Sequence, residues 1–190
     1  MAGFPEPTTE DEAQRLKKFL EAGAAVSIEE LKAFGARERI EATLDKPGTL
    51  VFETTADELG KLNDEGADRR TLFEFELAGI DREHQYAVAI FLNNERATDL
   101  DAKTPGFAGT VGFFCQVEGP EGVVICPIDQ SNPLRYTLDV TDALKTTEQR
   151  SDMLRATLLL VPDPERRPEV GALQVAKADV RVVQSVVKAG

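Results

Sequence analysis

The chain has 190 residues, 42% of them hydrophobic and 29% charged, enough apolar material for one globular domain with a real core. Its formal net charge of -12 opposes phosphate backbones and anionic membrane surfaces, so neither nucleic acid nor membrane is an expected partner. No apolar run approaches the roughly 20 residues of a membrane span. The start, MAGFPEPTTEDEAQRLKK, lacks a basic segment followed by an apolar one, which leaves a cytoplasmic chain as the default expectation.

Residues 1–36 read as a helical extension. Thr9 precedes Glu12 by three residues, the spacing of a capping box, and Ala13, Leu16 and Leu20 then recur at helical intervals before Gly23. Ser27 and Glu30 repeat the capping box. Val26 and Leu31 are placed as a hydrophobic staple, and Ile28, Leu31 and Phe34 make one face that ends at Gly35. The spacing predicts two short helices, over 9–22 and 28–35.

From residue 37 to 190 the period becomes two. Ile40, Ala42 and Leu44 share a face, as do Phe73, Phe75 and Leu77, with Glu74 and Glu76 pointing the other way. The same alternation runs through Tyr86, Val88, Ile90 and Leu92, then Leu134, Tyr136, Leu138 and Val140. It continues in Leu154, Ala156, Leu158 and Leu160 and closes with Val180 and Val182. Gly106–Cys115 reads as a further strand, with Val111, Phe113 and Cys115 on one face. Its glycines Gly109 and Gly112 mark a bulge or a close approach. Turn-rich segments such as DKPG, GPEG and QSNP separate the strands, and residues 59–70 and 93–106 read as exposed loops. The expected fold is mainly β, an antiparallel, jelly-roll-like β-sandwich over 37–190 with a two-helix extension before it.

Some strands are apolar on both faces. Leu72, Phe91, Phe114, Leu159 and Val183 fall off the core phase, and a two-sided apolar strand needs cover on both sides. Phe91, Phe114 and Leu159 are therefore candidates for an interface, covered either by the chain itself or by another protein.

Enzyme chemistry is thin. The chain has no G-x-S-x-G elbow, no Walker loop, no H-E-x-x-H and no dinucleotide fingerprint. Its one histidine is His84. Carboxylates are many but unremarkable in spacing. The two cysteines flank a hairpin: a four-residue loop over Gly119–Gly122 pairs Val117 with Val124 and Gln116 with Ile125, which sets Cys115 opposite Cys126. Free buried thiols, a cross-strand disulfide and a weak soft-metal pair all remain open for them.

Four segments, YAVAIFLNN, GFAGTVGFF, LDVTDAL and ATLLLVP, stand in the order seen in one family. Together they resemble the C-terminal domain of tyrosinases and polyphenol oxidases, the type 3 copper proteins, over residues 70–185. Phe107, Ala108, Gly109 and Thr110 match that domain's later hallmark, with threonine where serine is usual. Asn93 matches the asparagine that ends the preceding strand, and Val161 and Pro162 the valine-proline of the penultimate one. Tyr86-Ala87-Val88 stands in the region of the motif that names the plant domain.

The resemblance implies a non-catalytic partner. In the family a separate helical domain holds a pair of copper ions on histidines and oxidises phenols. The β-domain covers the entrance to that site and keeps the enzyme latent. With one histidine, this chain cannot hold such a centre, so the expectation is no catalytic residue and no cofactor here. Copper would sit in a tyrosinase-like catalytic domain, in the same or another molecule. The alternative is a free-standing β-sandwich binding module for a small ligand or protein.

Overall fold

The structure, a computed structural model, describes residues 25–66, 68–78, 86–95, 97, 103–112, 116–117, 124–125, 133–147, 153–162 and 172–188. In chain order the strands are β1 (Ala25–Gly35), β2 (Ile40–Thr43), β3 (Gly48–Val51), β4 (Arg69–Ala78), β5 (Tyr86–Leu92) and β6 (Phe107–Gly112). They continue with β7 (Gln116–Val117), β8 (Val124–Ile125), β9 (Leu134–Asp139), β10 (Arg155–Pro162) and β11 (Ala172–Lys188). Among the described residues two helices, α1 (Ala56–Asp64) and α2 (Thr141–Thr146), interrupt them.

The pairings nest. β5 pairs β6, β4 pairs β9, β3 pairs β10 and β1 pairs β11, all antiparallel. One long hairpin, rolled so that its arms fall alternately into two layers, produces this order. One sheet runs β1-β11-β4-β9, with β2 also on β11, and the other runs β3-β10-β5-β6. That is the jelly roll the alternation predicts.

The core lies between the layers. Phe73, Phe75 and Leu77 enter it from β4, Val88, Ile90 and Leu92 from β5, and Ala156, Leu158 and Leu160 from β10. Val180 and Val182 come from β11. An aromatic ladder crosses it: Phe52 meets Phe73 edge-on at 5.9 Å, Phe73 stacks on Phe75 at 4.8 Å, and Phe75 stacks on Tyr136 at 5.5 Å. Each such pair contributes about 0.5–1.5 kcal/mol beyond its buried area. On the other side of β4, Glu74 and Glu76 point outward as expected and meet Arg181 at 3.2 Å and Arg135 at 2.9 Å.

The smaller sheet is apolar on its outer face too. Ala89, Phe91, Ala97 and Leu159 form a second buried cluster, with Phe107 and Val161 against it. Phe91 is 0% exposed and Leu159 6%, so neither offers a docking surface; this corrects the interface expectation for both. Their cover includes Ala97 from the loop after β5 and the Phe107 ring, 5.4 Å from that of Phe91. Phe114 lies outside the described residues. Leu72 is half-buried and Val183 buried.

One polar group sits in this second layer unmatched. Thr157 is fully buried, and its Oγ1 has no hydrogen-bond partner among the described residues. Thr157→Val keeps the shape, suits a strand and removes the unmet hydroxyl. We expect it to raise stability by about 1 kcal/mol in urea denaturation. A loss of stability would show that the hydroxyl is satisfied in solution.

Two sequence expectations fail here. Residues 28–35 are not a helix; they belong to β1, which pairs β11 from Ala25↔Lys188 to Gly35↔Asp179. Ser27 does not cap; its hydroxyl donates to the Val186 carbonyl at 3.4 Å. The period-three pattern of Ile28, Leu31 and Phe34 arises from a bulge: Glu30 opposes Val183 and Lys32 opposes Val182, leaving Leu31 extra. Residues 25–36 are thus part of the sandwich, while the expected helix over 9–22 lies outside the described residues.

The segment 59–70 is also not all loop, because α1 occupies its first part. Thr55 caps α1 by accepting from the Glu58 amide at 3.0 Å, and Ala56 and Leu59 are buried beneath it. The Glu58 carboxylate accepts from the Lys32 ammonium at 2.6 Å and from the Thr54 hydroxyl at 3.0 Å. The Lys32 hydrogen bond holds its pKa below the usual 4.5 despite some desolvation. A lowered folded pKa stabilises above the unfolded value and is lost as pH falls through the folded one. Both side chains are over a third exposed, so screening limits the effect to a few tenths of a kcal/mol, or about 0.5. Native and Glu58→Gln chains should therefore converge in stability as pH drops below 4.5, and differ above it.

Candidate functional site

The residues that carry the sequence resemblance meet at the corner where β5 ends and β6 begins. The loop between them must bring the Leu92 amide onto the Gly106 carbonyl, at 2.7 Å. This approach is close enough that a Cβ on Gly106 would collide with the Leu92 carbonyl oxygen, and Gly106 has φ +78. That same Leu92 oxygen accepts from the Thr147 hydroxyl at 2.8 Å, just past α2. Thr146 Oγ1 accepts from the Gly106 amide at 3.4 Å.

Asn93 turns the chain out of β5. It has φ 51, in the left-handed region that asparagine tolerates better than most residues, and it is buried. Its amide donates to the Arg155 carbonyl at 2.8 Å, and its Oδ1 accepts from the Arg155 amide at 3.0 Å. Asn93 therefore completes a rung to β10 that the turning backbone alone could not.

Phe107, Ala108, Gly109 and Thr110 lie in β6. Phe91 opposes Phe107 and Ile90 opposes Gly109, so Ala108 is the extra residue of a bulge. Gly109, at φ +145, faces Leu138 of β9 across the sandwich. Thr110 is exposed. Two residues on, the Gly112 carbonyl accepts from the Tyr136 hydroxyl at 3.2 Å, which ties β9 to β6 at the open side of the roll. Burial raises the Tyr136 pKa above its usual 10.0, so this donor keeps its proton. Val161 and Pro162 end β10 opposite Ala87 and Tyr86.

None of Asn93, Gly106 or Phe107 to Thr110 ionises in the ordinary pH range, so the work of this corner is conformational. Of the two glycines expected to mark a bulge or a close approach, Gly109 flanks the bulge at Ala108 and Gly112 pairs in register with Ala87; the tight approach is at Gly106. The sequence does not single out Thr146 and Thr147, since a threonine pair at the end of a six-residue helix carries no signal by itself.

The hairpin register is the expected one: Gln116 pairs Ile125 and Val117 pairs Val124. Cys115, Cys126 and His84 lie outside the described residues. Among the described residues no group of three or more His, Cys, Asp or Glu side chains could hold a metal ion.

A cavity of about 620 Å³ opens on the larger sheet. Arg39, Glu41, Glu76, Gln174 and Lys177 line it together with Ile40 and Val175. A bulge in β11 between Val175 and Lys177 makes the room. Nothing in the alternation of β2 or β11 foretells it.

The sequence matches no protein-family model, and no curated protein is significantly similar to it.

Proposed function

We propose that this chain is a non-catalytic shielding domain of a tyrosinase-like copper enzyme, covering the entrance to a copper site held on another domain or chain. One observation carries the reading. The residues on which the resemblance rests, Asn93 and Phe107 to Thr110, sit where the jelly roll has a stereochemical demand: a left-handed turn and a bulge beside a near-contact of two backbones. These demands support the reading, because they give a physical reason for those residues to recur at this corner in a domain of the kind the sequence resembles.

The mechanism is steric. A rigid sandwich lies over the entrance and excludes phenols, with no group of its own in the chemistry. Phe91 and Leu159 take no part in docking, being buried. The test is to add the domain to an active tyrosinase truncated of its own β-domain, from the same source. Phenol oxidation should fall as the domain is titrated to micromolar concentration. Full activity, with no binding by calorimetry, overturns the proposal.

The 620 Å³ cavity favours a second reading, a free-standing module for a small polar ligand, since ligand sites span about 300–1,000 Å³. Its lining carries both charges, so the ligand would be zwitterionic. A rise in melting temperature with free amino acids, abolished by Arg39→Ala, would select this reading over the first.

A further inference from the structure

We infer that the free edge of β1 is built to refuse a second copy of this chain. Among the described residues β1 pairs with β11 alone, which leaves an edge 11 residues long. It also carries two exposed large hydrophobics, Ile28 at 69% and Leu31 at 43%. A long edge with apolar side chains is a template for strand addition.

Three features oppose that addition. The bulge at Leu31 breaks the regular row of donors and acceptors and bends the edge. Lys32, opposite the fully buried Val182, shares that residue's core-facing side, so a charge stands at the rim of the core. Its ammonium lies 2.6 Å from Glu58 Oε1 and 4.7 Å from the centre of the Phe34 ring, yet the side chain stays 47% exposed. A strand laid along β1 would take water from that ammonium.

The third feature is register. An antiparallel pair of β1 strands that buries Ile28 of one copy against Leu31 of the other sets Glu29 directly opposite Glu30. Like charges in that position repel. The arrangement that would satisfy the hydrophobics is the one the carboxylates forbid.

The experiment is sedimentation of the full native chain beside two variants, each checked for native circular dichroism: deletion of Lys32 with Glu29→Thr and Glu30→Thr, which removes bulge and charges together, and Lys32→Val with Glu29→Thr and Glu30→Thr, which removes the charges alone. Removing the charges should bring the sedimented mass toward twice the native value at high protein concentration, further without the bulge than with it. The substituted variant keeps the chain length, so it decides the matter if the deletion fails to fold. A folded chain freed of these charges that stays at the native mass overturns the inference. So does a native chain whose mass falls on Ile28→Asp, because the edge would then already be in use.

Discussion

Gly106→Ala is expected to be among the most damaging single substitutions in the chain, costing about 3 kcal/mol or more in urea denaturation. Two effects add. The φ of +78 is strained for any residue with a Cβ, and the new methyl would occupy the space of the Leu92 carbonyl oxygen. That oxygen cannot retreat, because Thr147 holds it from one side and the Leu92 amide is fixed to the Gly106 carbonyl. Gly109→Ala separates the two effects. Its φ of +145 is equally foreign to alanine, but the nearest atoms to a Cβ there are Leu138 methyls at 3.7 Å, an ordinary contact. Strain alone should cost about 1–3 kcal/mol. Equal losses at the two glycines would show that the backbone collision is relieved by movement of the loop.

Asn93 is the second position of large expected effect. Asn93→Ala leaves the Arg155 amide without its acceptor and puts alanine at φ 51, for a combined loss of about 2–4 kcal/mol. Asn93→Gly relieves the backbone term and keeps only the missing acceptor, so it should lose about 1–3 kcal/mol. The order native, glycine, alanine is the checkable result. If glycine proves as costly as alanine, the side-chain hydrogen bond carries the whole effect.

These two positions show how the sequence was legible. Alternation placed the core of β4, β5, β9, β10 and the Val180–Val182 part of β11 correctly, since each has a regular stretch long enough for period two to emerge. The jelly-roll order follows once those strands are paired. The hairpin register at Gln116 and Val117 followed from loop length alone.

What failed was local. The bulge in β1 disguised a strand as a helix, because one extra residue shifts the alternation and makes three-residue spacing fit. A capping box is a four-residue signal, and at Ser27 pairing with the valine-rich β11 overrode it. At Thr55 the same spacing, with Glu58 three residues on, does cap a helix, a signal that the loop expectation over 59–70 passes over. Local spacing cannot tell these cases apart; the difference is whether a distant strand claims the backbone. The corner at Gly106 was legible as a strand with glycines. It was not legible as a contact with Leu92, 14 positions earlier, because the chain between them sets the approach.

The 17-residue β11 has a consequence for how the molecule is made. It pairs with β1, β2 and β4, and it follows every other described strand in the chain. The smaller sheet needs only β3 to β10, but the larger one has no centre until β11 leaves the ribosome. β1 then finds a partner about 150 residues away, a loop closure that slows folding to the millisecond-to-second range of non-local β topologies. During synthesis the Phe73 and Phe75 face of β4 waits half-assembled, and the nascent chain is most exposed to aggregation and chaperone capture in that interval.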